Sequence, residues 1–254
     1  MREFLRGVAD LGRGFGYWGS SPRLMLLGAI PAVIVGAVWV ALFVLLITSV
    51  DGLVALLTGF ADDWSAPLRS AVRIAIALAI VVLAIVVGAL TFTAVVLTVG
   101  DPFYERISRR VEQRLGDPPV ERDDPLLRGL LRAARDGFVL LLVSLVVGLA
   151  SFLLGLIPLV GPVVGGVFGA TVGGWFLAVE LTGTAFDARG FRLGERRRVL
   201  GRSRARTLGF GVATWLLFLI PLGAVFAMPA AVSGATVLTR GALARAPGAS
   251  VRDP

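Results

Sequence analysis

Between Arg23 and Asp51 the chain runs from Leu24 to Val50 without one ionisable side chain, and Ile74 to Val99 repeats the pattern. Each run exceeds the roughly 20 apolar residues that a helix needs to cross the hydrocarbon core of a bilayer. A backbone in hydrocarbon must satisfy its own hydrogen bonds, so the runs predict two transmembrane helices, at 24–50 and 74–99.

The rest of the composition fits that reading. The mean hydropathy is +0.86, and 56% of the 254 residues are hydrophobic, too apolar for an average soluble domain. The formal charge of +8 comes entirely from Arg on the basic side, because the chain has no Lys. These arginines flank apolar runs and alternate with carboxylates, which points to membrane orientation and not to nucleic acid. The absence of Cys and His excludes disulfides, thiolate metal sites and imidazole base catalysis, and it leaves no metal or cofactor expected. The first apolar run is longer than the 7 to 15 residues or so of a signal-peptide core, and no small-residue cleavage site follows it. It is expected to be retained.

Amphipathic segments lie between the apolar ones. In 1–23, Phe4, Val8, Leu11 and Phe15 recur at helical spacing with charges on the other faces, predicting an interfacial helix. Ser21 and Pro22 offer a cap and a first helical position for span one. After span two, Asp101-Pro102 repeats the cap-then-proline signal. Phe103, Ile107, Val111 and Leu115 then form a stripe that Gly116 should end. The proline-rich piece 117–125 reads as a linker, followed by a further amphipathic stretch in which Leu127, Leu130, Leu131 and Ala134 oppose Arg128, Arg132 and Arg135.

Two longer apolar segments are broken in the middle. Gly137–Ala185 contains a single ionisable residue, Glu180, and turns at Pro158, Gly161 and Pro162; 207–239 is uncharged and is interrupted at Pro221 and Pro229. The second is too short to cross twice, so it should enter, turn inside the membrane and return. Phe152–Leu159 aligns with Trp215–Leu222 at a constant offset of 63. This is either a weak internal repeat or two leucine-rich helices that both break at proline.

Charge then sets the topology. Segments 1–23, 101–136, 187–206 and 239–254 hold 4, 8, 8 and 3 arginines, 23 of the 25. All four fall on the cytoplasmic side if two spans cross and two hairpins return. The expected fold is an all-α integral membrane protein in a single membrane domain, with two full spans, two re-entrant hairpins (137–185 and 207–239), an Arg-rich connector at 187–206 and a tail at 240–254.

Several of these pieces resemble a known family. Gly19-Ser20-Ser21-Pro22-Arg23, Asp101-Pro102-Phe103, Ile157-Pro158-Leu159-Val160-Gly161, Ala185-Phe186-Asp187, Ile220-Pro221 and the run from Met228 to Thr236 are similar to the CysZ-type sulfate permeases, grouped with the etoposide-induced membrane protein domain. The resemblance implies a multi-pass protein of a bacterial-type inner membrane with both termini cytoplasmic, working as a homo-oligomer and moving sulfate or a related oxyanion inward for sulfur assimilation. The chain departs from the family pattern where Arg23 is followed by Leu24 instead of a second basic residue, and where Tyr104 follows Pro102-Phe103.

An oxyanion path needs donors that do not hold the ion too tightly. Gly19, Ser20, Ser21, Pro22 and Arg23 lie at the positive end of span one's dipole, and the Arg23 fork matches a tetrahedral oxyanion. The plainer reading is a helix cap beside a snorkelling Arg. Pro158, Gly161, Pro162, Gly165, Pro221 and Pro229 mark where helices break and could line or gate a path; packing turns would use the same residues. Glu180 is the only acid in the hairpins, and its closeness to Asp187 favours an interfacial carboxylate over a proton-coupling one. A non-transporting scaffold whose hairpins shape the bilayer or hold partners is the alternative function. No catalytic constellation is present, since the Asp123-Asp124 pair sits in a proline-flanked linker.

Overall fold

The computed structural model describes residues 1–116, 118–119, 126–158, 160–220 and 222–245, with the backbone alone for Leu90 and 126–137. Of the linker expected at 117–125, Asp117 and 120–125 lie outside the described residues, as do Pro221, the tail beyond Arg245 and the side chains of the amphipathic stretch from Leu127 to Arg135. Among the described residues every regular element is helical: α1 (Arg2–Gly19), α2 (Pro22–Leu57), a 3-10 turn (Gly59–Ala61), α3 (Ala66–Leu115), α4 (Leu126–Gly155), α5 (Gly161–Phe168), a π turn (Gly169–Gly173), α6 (Gly174–Leu181), α7 (Gly183–Asp187), α8 (Leu193–Arg202), α9 (Arg204–Phe218) and α10 (Gly223–Leu243).

Two compact units share these helices. The smaller, 29–101, is the helical hairpin made by most of α2 and α3. At 1.5 Å per residue the 36 residues of α2 and 50 of α3 extend about 54 and 75 Å, well beyond a hydrocarbon core of about 30 Å. Arg73 pins the connection by donating to Thr58 Oγ1 at 3.2 Å and to Asp62 Oδ1 at 3.0 Å. One boundary differs from the sequence reading. Asp101-Pro102 opens no new helix, because α3 continues through Pro102 to Leu115. A proline suited to a first turn can also sit inside a helix when neighbouring packing outweighs its missing N–H. Here Tyr104, Ile107 and Val111 are buried in the turns that follow. Gly116 does end α3, with φ at +74°.

The larger unit, 1–28 with 102–254, carries the core. Helix α1 packs on α9 and α10 through Gly7, Asp10, Leu11 and Gly14. The approach is close: a Cβ on Gly7 would stand 1.9 Å from the Arg206 carbonyl oxygen, and one on Gly14 would stand 2.1 Å from that of Ala230. The stripe expected to face the bilayer is therefore split. Leu11 joins the protein core, while Phe4, Val8 and Phe15 stay exposed.

The two broken segments form helical hairpins. Helix α4 ends at Gly155 and α9 at Phe218, positions related by the same offset as the sequence match. Each turn closes on a glycine. A Cβ on Gly161 would stand 2.6 Å from the Gly155 carbonyl oxygen, and one on Gly223 would stand 2.0 Å from that of Leu217. Leu222, just before α10, takes a left-handed conformation at φ 61°, unusual for a branched side chain.

Candidate functional site

The junction between α1 and α2 contains all five residues expected to face an oxyanion. Ser20 N–H donates to the Gly16 carbonyl at 3.0 Å, and the Ser20 hydroxyl turns back to the Tyr17 carbonyl at 3.0 Å. Ser20 therefore closes α1. The Ser21 carbonyl accepts from the N–H groups of Leu24 and Met25 at 2.9 and 3.0 Å, and Pro22 has no N–H to offer. The Arg23 N–H belongs to the first turn of α2, where helix geometry supplies no intrahelical acceptor. The Arg23 side chain is exposed beside it, while Ser21 and Leu24 are buried.

This junction is held from two sides. Trp18 Nε1 donates to the Leu24 carbonyl at 3.1 Å. One turn further along α2, a Cβ on Gly28 would stand 2.5 Å from Pro229 Cγ. The start of α2 thus rests between the end of α1 and the Pro229 level of α10. A second cation approaches through Arg114, whose Nη1 donates to Ser20 Oγ at 3.1 Å. The backbone dipole, an exposed guanidinium and a neighbouring Arg together make a positive, partly rigid corner at a helix N-terminus.

The turn residues of the first hairpin do not join this corner. Gly161 and Gly165 pack α5 onto α4, since a Cβ on Gly165 would stand 2.7 Å from the Ser151 carbonyl oxygen. Pro162 begins α5, and Pro158 precedes it in the turn. Pro162 and Gly165 also line a cavity of about 530 Å³ whose wall includes Glu180 and Trp215. Glu180 is exposed at that wall.

Sequence reading assigned the arginines to orientation and missed the ion pairs inside the larger unit. Asp10 is fully buried and accepts from Arg206 Nη2 at 2.8 Å and from Arg13 Nη1 at 3.0 Å, with Arg206 Nε on its other oxygen. Glu112, also buried, takes both Nη groups of Arg189 at 2.7 and 2.9 Å and Arg240 Nη1 at 3.2 Å. Arg240 also donates to the Gly116 carbonyl. Arg196 reaches Asp187 at 2.8 Å and the Val179 carbonyl at 3.1 Å. The signal for Asp10 was its place among Gly7, Leu11 and Gly14 on one helix face; Glu112 similarly follows buried Ile107, Ser108 and Val111. At the surface, hydrogen bonding from Arg245 lowers the Glu3 pKa below the ordinary carboxylate value, aided by Arg6 and opposed by desolvation.

Among the described residues four helices are long and apolar enough to cross a membrane, two of them the arms Phe138–Gly155 and Gly161–Leu181 of the first hairpin. The fold is that of a multi-pass helical membrane protein with a positive corner where its first long apolar helix begins. Residues 10–229 match the family described as Sulfate transporter CysZ/Etoposide-induced protein 2.4, and the chain belongs to that family. Among similar proteins are "Sulfate transporter CysZ" of Vibrio cholerae serotype O1 (strain ATCC 39315 / El Tor Inaba N16961), 27% identical over 149 residues, and the protein of the same description from Vibrio parahaemolyticus serotype O3:K6 (strain RIMD 2210633), 28% identical over 149 residues. Both matches cover 58% of this chain and 60% of the relative's length.

Proposed function

We propose that this chain is an inner-membrane permease for a small oxyanion, with sulfate the leading substrate, and that it supplies sulfur assimilation. The observation that carries the reading is the α1–α2 junction. It presents an exposed Arg23 in the first turn of an apolar helix, in a member of a family whose similar proteins are described as sulfate transporters. A dianion meeting this corner gains charge-assisted hydrogen bonds without being enclosed, the balance a conducting site requires.

In this reading α2 and α3 are full spans, and both hairpins return to the side they enter. Helix α9 has 15 residues, about 22 Å, short of the hydrocarbon core, which favours a partly penetrating second hairpin. The arms of the first hairpin, at 18 and 21 residues, reach deeper. Pro158, Gly161 and Pro162 lie at the turn between α4 and α5, whereas Gly165 sits within α5 and Pro229 within α10, which runs through the proline where the sequence suggested a break; these residues serve as walls or gates of the path, and Pro221 belongs with them by sequence. The arginine-rich segments, both termini and the exposed apolar face of α1 lie on or at the cytoplasmic leaflet. The permease works as a homo-oligomer, so one chain need not enclose the pore.

Flux into proteoliposomes tests the proposal. Sulfate, sulfite and chloride are compared, with oxyanion entry above that of empty vesicles expected. Rates equal to empty vesicles for all three ions would sink it.

A further inference from the structure

Six glycines line the cavity in the first hairpin: Gly148 and Gly155 on α4, Gly165 and Gly166 on α5, and Gly169 and Gly173 in the π turn. At three of them a side chain would find open space, because a Cβ on Gly148, Gly155 or Gly166 would meet nothing within 4 Å. At about 530 Å³ the space falls in the ordinary range of small-molecule pockets. Its remaining wall is mainly apolar, including Val147, Phe152, Leu177 and Phe218. Between two helices with the hydropathy of membrane spans, the filling available to such a mainly apolar hollow is hydrocarbon.

The lining is not apolar throughout. Glu180 is part of it, and Phe176, one turn earlier on α6, carries the Arg197 guanidinium 5.4 Å from its ring centroid. Both charged residues are exposed. An apolar cavity beside an acid and a base complements a zwitterionic phospholipid. Its acyl chain fills the glycine-lined space, its phosphate meets the Arg197 fork, and its ammonium donates to Glu180. A primary ammonium has N–H groups for that bond, whereas a trimethylammonium has none.

We propose that the first hairpin binds one phosphatidylethanolamine-type lipid in this cavity, with Arg197 and Glu180 selecting the headgroup. The site requires only that the hairpin lie in a bilayer.

Native mass spectrometry of the full chain in detergent, with equal phosphatidylethanolamine, phosphatidylcholine and phosphatidylglycerol added, tests this. One retained phosphatidylethanolamine is expected, with phosphatidylcholine bound about ten-fold more weakly for want of the charged hydrogen bond. Glu180→Gln should erase that preference, and Arg197→Gln should weaken both lipids. Gly148→Leu combined with Gly166→Leu fills space that no protein atom occupies and should remove the retained lipid while circular dichroism stays that of the wild type. Equal retention of the three lipids by the wild type, or an undiminished adduct in the double leucine variant, would overturn the proposal.

Discussion

Asp10→Ala isolates what the buried ion pairs contribute. Asp10 is fully buried and is shared by Arg206, itself nearly buried, and by Arg13, which is largely exposed. The exposed partner can be solvated when the carboxylate is lost, so its share is small. Arg206 cannot easily turn outward, because Gly241 lies directly against its guanidinium, with an added Cβ only 2.5 Å from Nη1. Removing one partner of a buried pair costs about 3–5 kcal/mol, mostly from the charge left behind. Replacing both by apolar groups of similar size is often close to neutral. Asp10→Ala should therefore destabilise by about 3–5 kcal/mol, while Asp10→Leu with Arg206→Met should recover most of that loss. Unfolding in mixed micelles, followed by far-ultraviolet circular dichroism, of the wild type, Asp10→Leu, Arg206→Met and the double variant gives the four corners of the cycle. An Asp10→Ala cost below about 1 kcal/mol, or strictly additive single changes, would refute the argument that this pair fastens α1 to α9.

The glycine contacts of α1 give a paired prediction. Gly14→Ala places a Cβ 2.1 Å from the Ala230 carbonyl oxygen and should cost at least about 1–3 kcal/mol as the helices separate, whereas Gly16→Ala meets nothing within 4 Å and should be neutral or stabilising by up to about 1 kcal/mol in the same unfolding assay. The Glu3 carboxylate supplies a pH dependence: its lowered pKa means that the tie to Arg245 is fully present above the ordinary carboxylate range and is lost as pH falls through the depressed value. Arg245→Gln should raise the Glu3 pKa toward ordinary, as read by a carboxylate titration in nuclear magnetic resonance.

The long helices were legible because hydrophobic length and arginine placement are each properties of the chain alone. Turn chemistry was nearly as readable: Gly116 ends α3 and Gly161 closes the first hairpin as their neighbours suggested. Asp101-Pro102 misled because proline fits a first turn as well as a tolerated interior position, and tertiary packing decides between them. The stripe on α1 showed an apolar face but not how it divides between bilayer and protein. That division depends on Gly7 and Gly14, whose meaning appears only when α9 and α10 lie against them. The buried partners of Arg206, Arg189 and Arg240 are 77 to 196 residues distant in sequence, beyond any local pattern. Ser20 and Ser21 were correctly placed at the α1–α2 junction, yet the Ser20 hydroxyl serves the end of α1.

The central claim rests on Arg23, and radiolabelled sulfate uptake into proteoliposomes tests it most directly. With equal protein incorporated, Arg23→Ala should lower uptake about ten-fold relative to the wild type, the loss of one charged hydrogen-bond donor from the corner that receives the ion. Equal uptake by the two proteins would contradict the account.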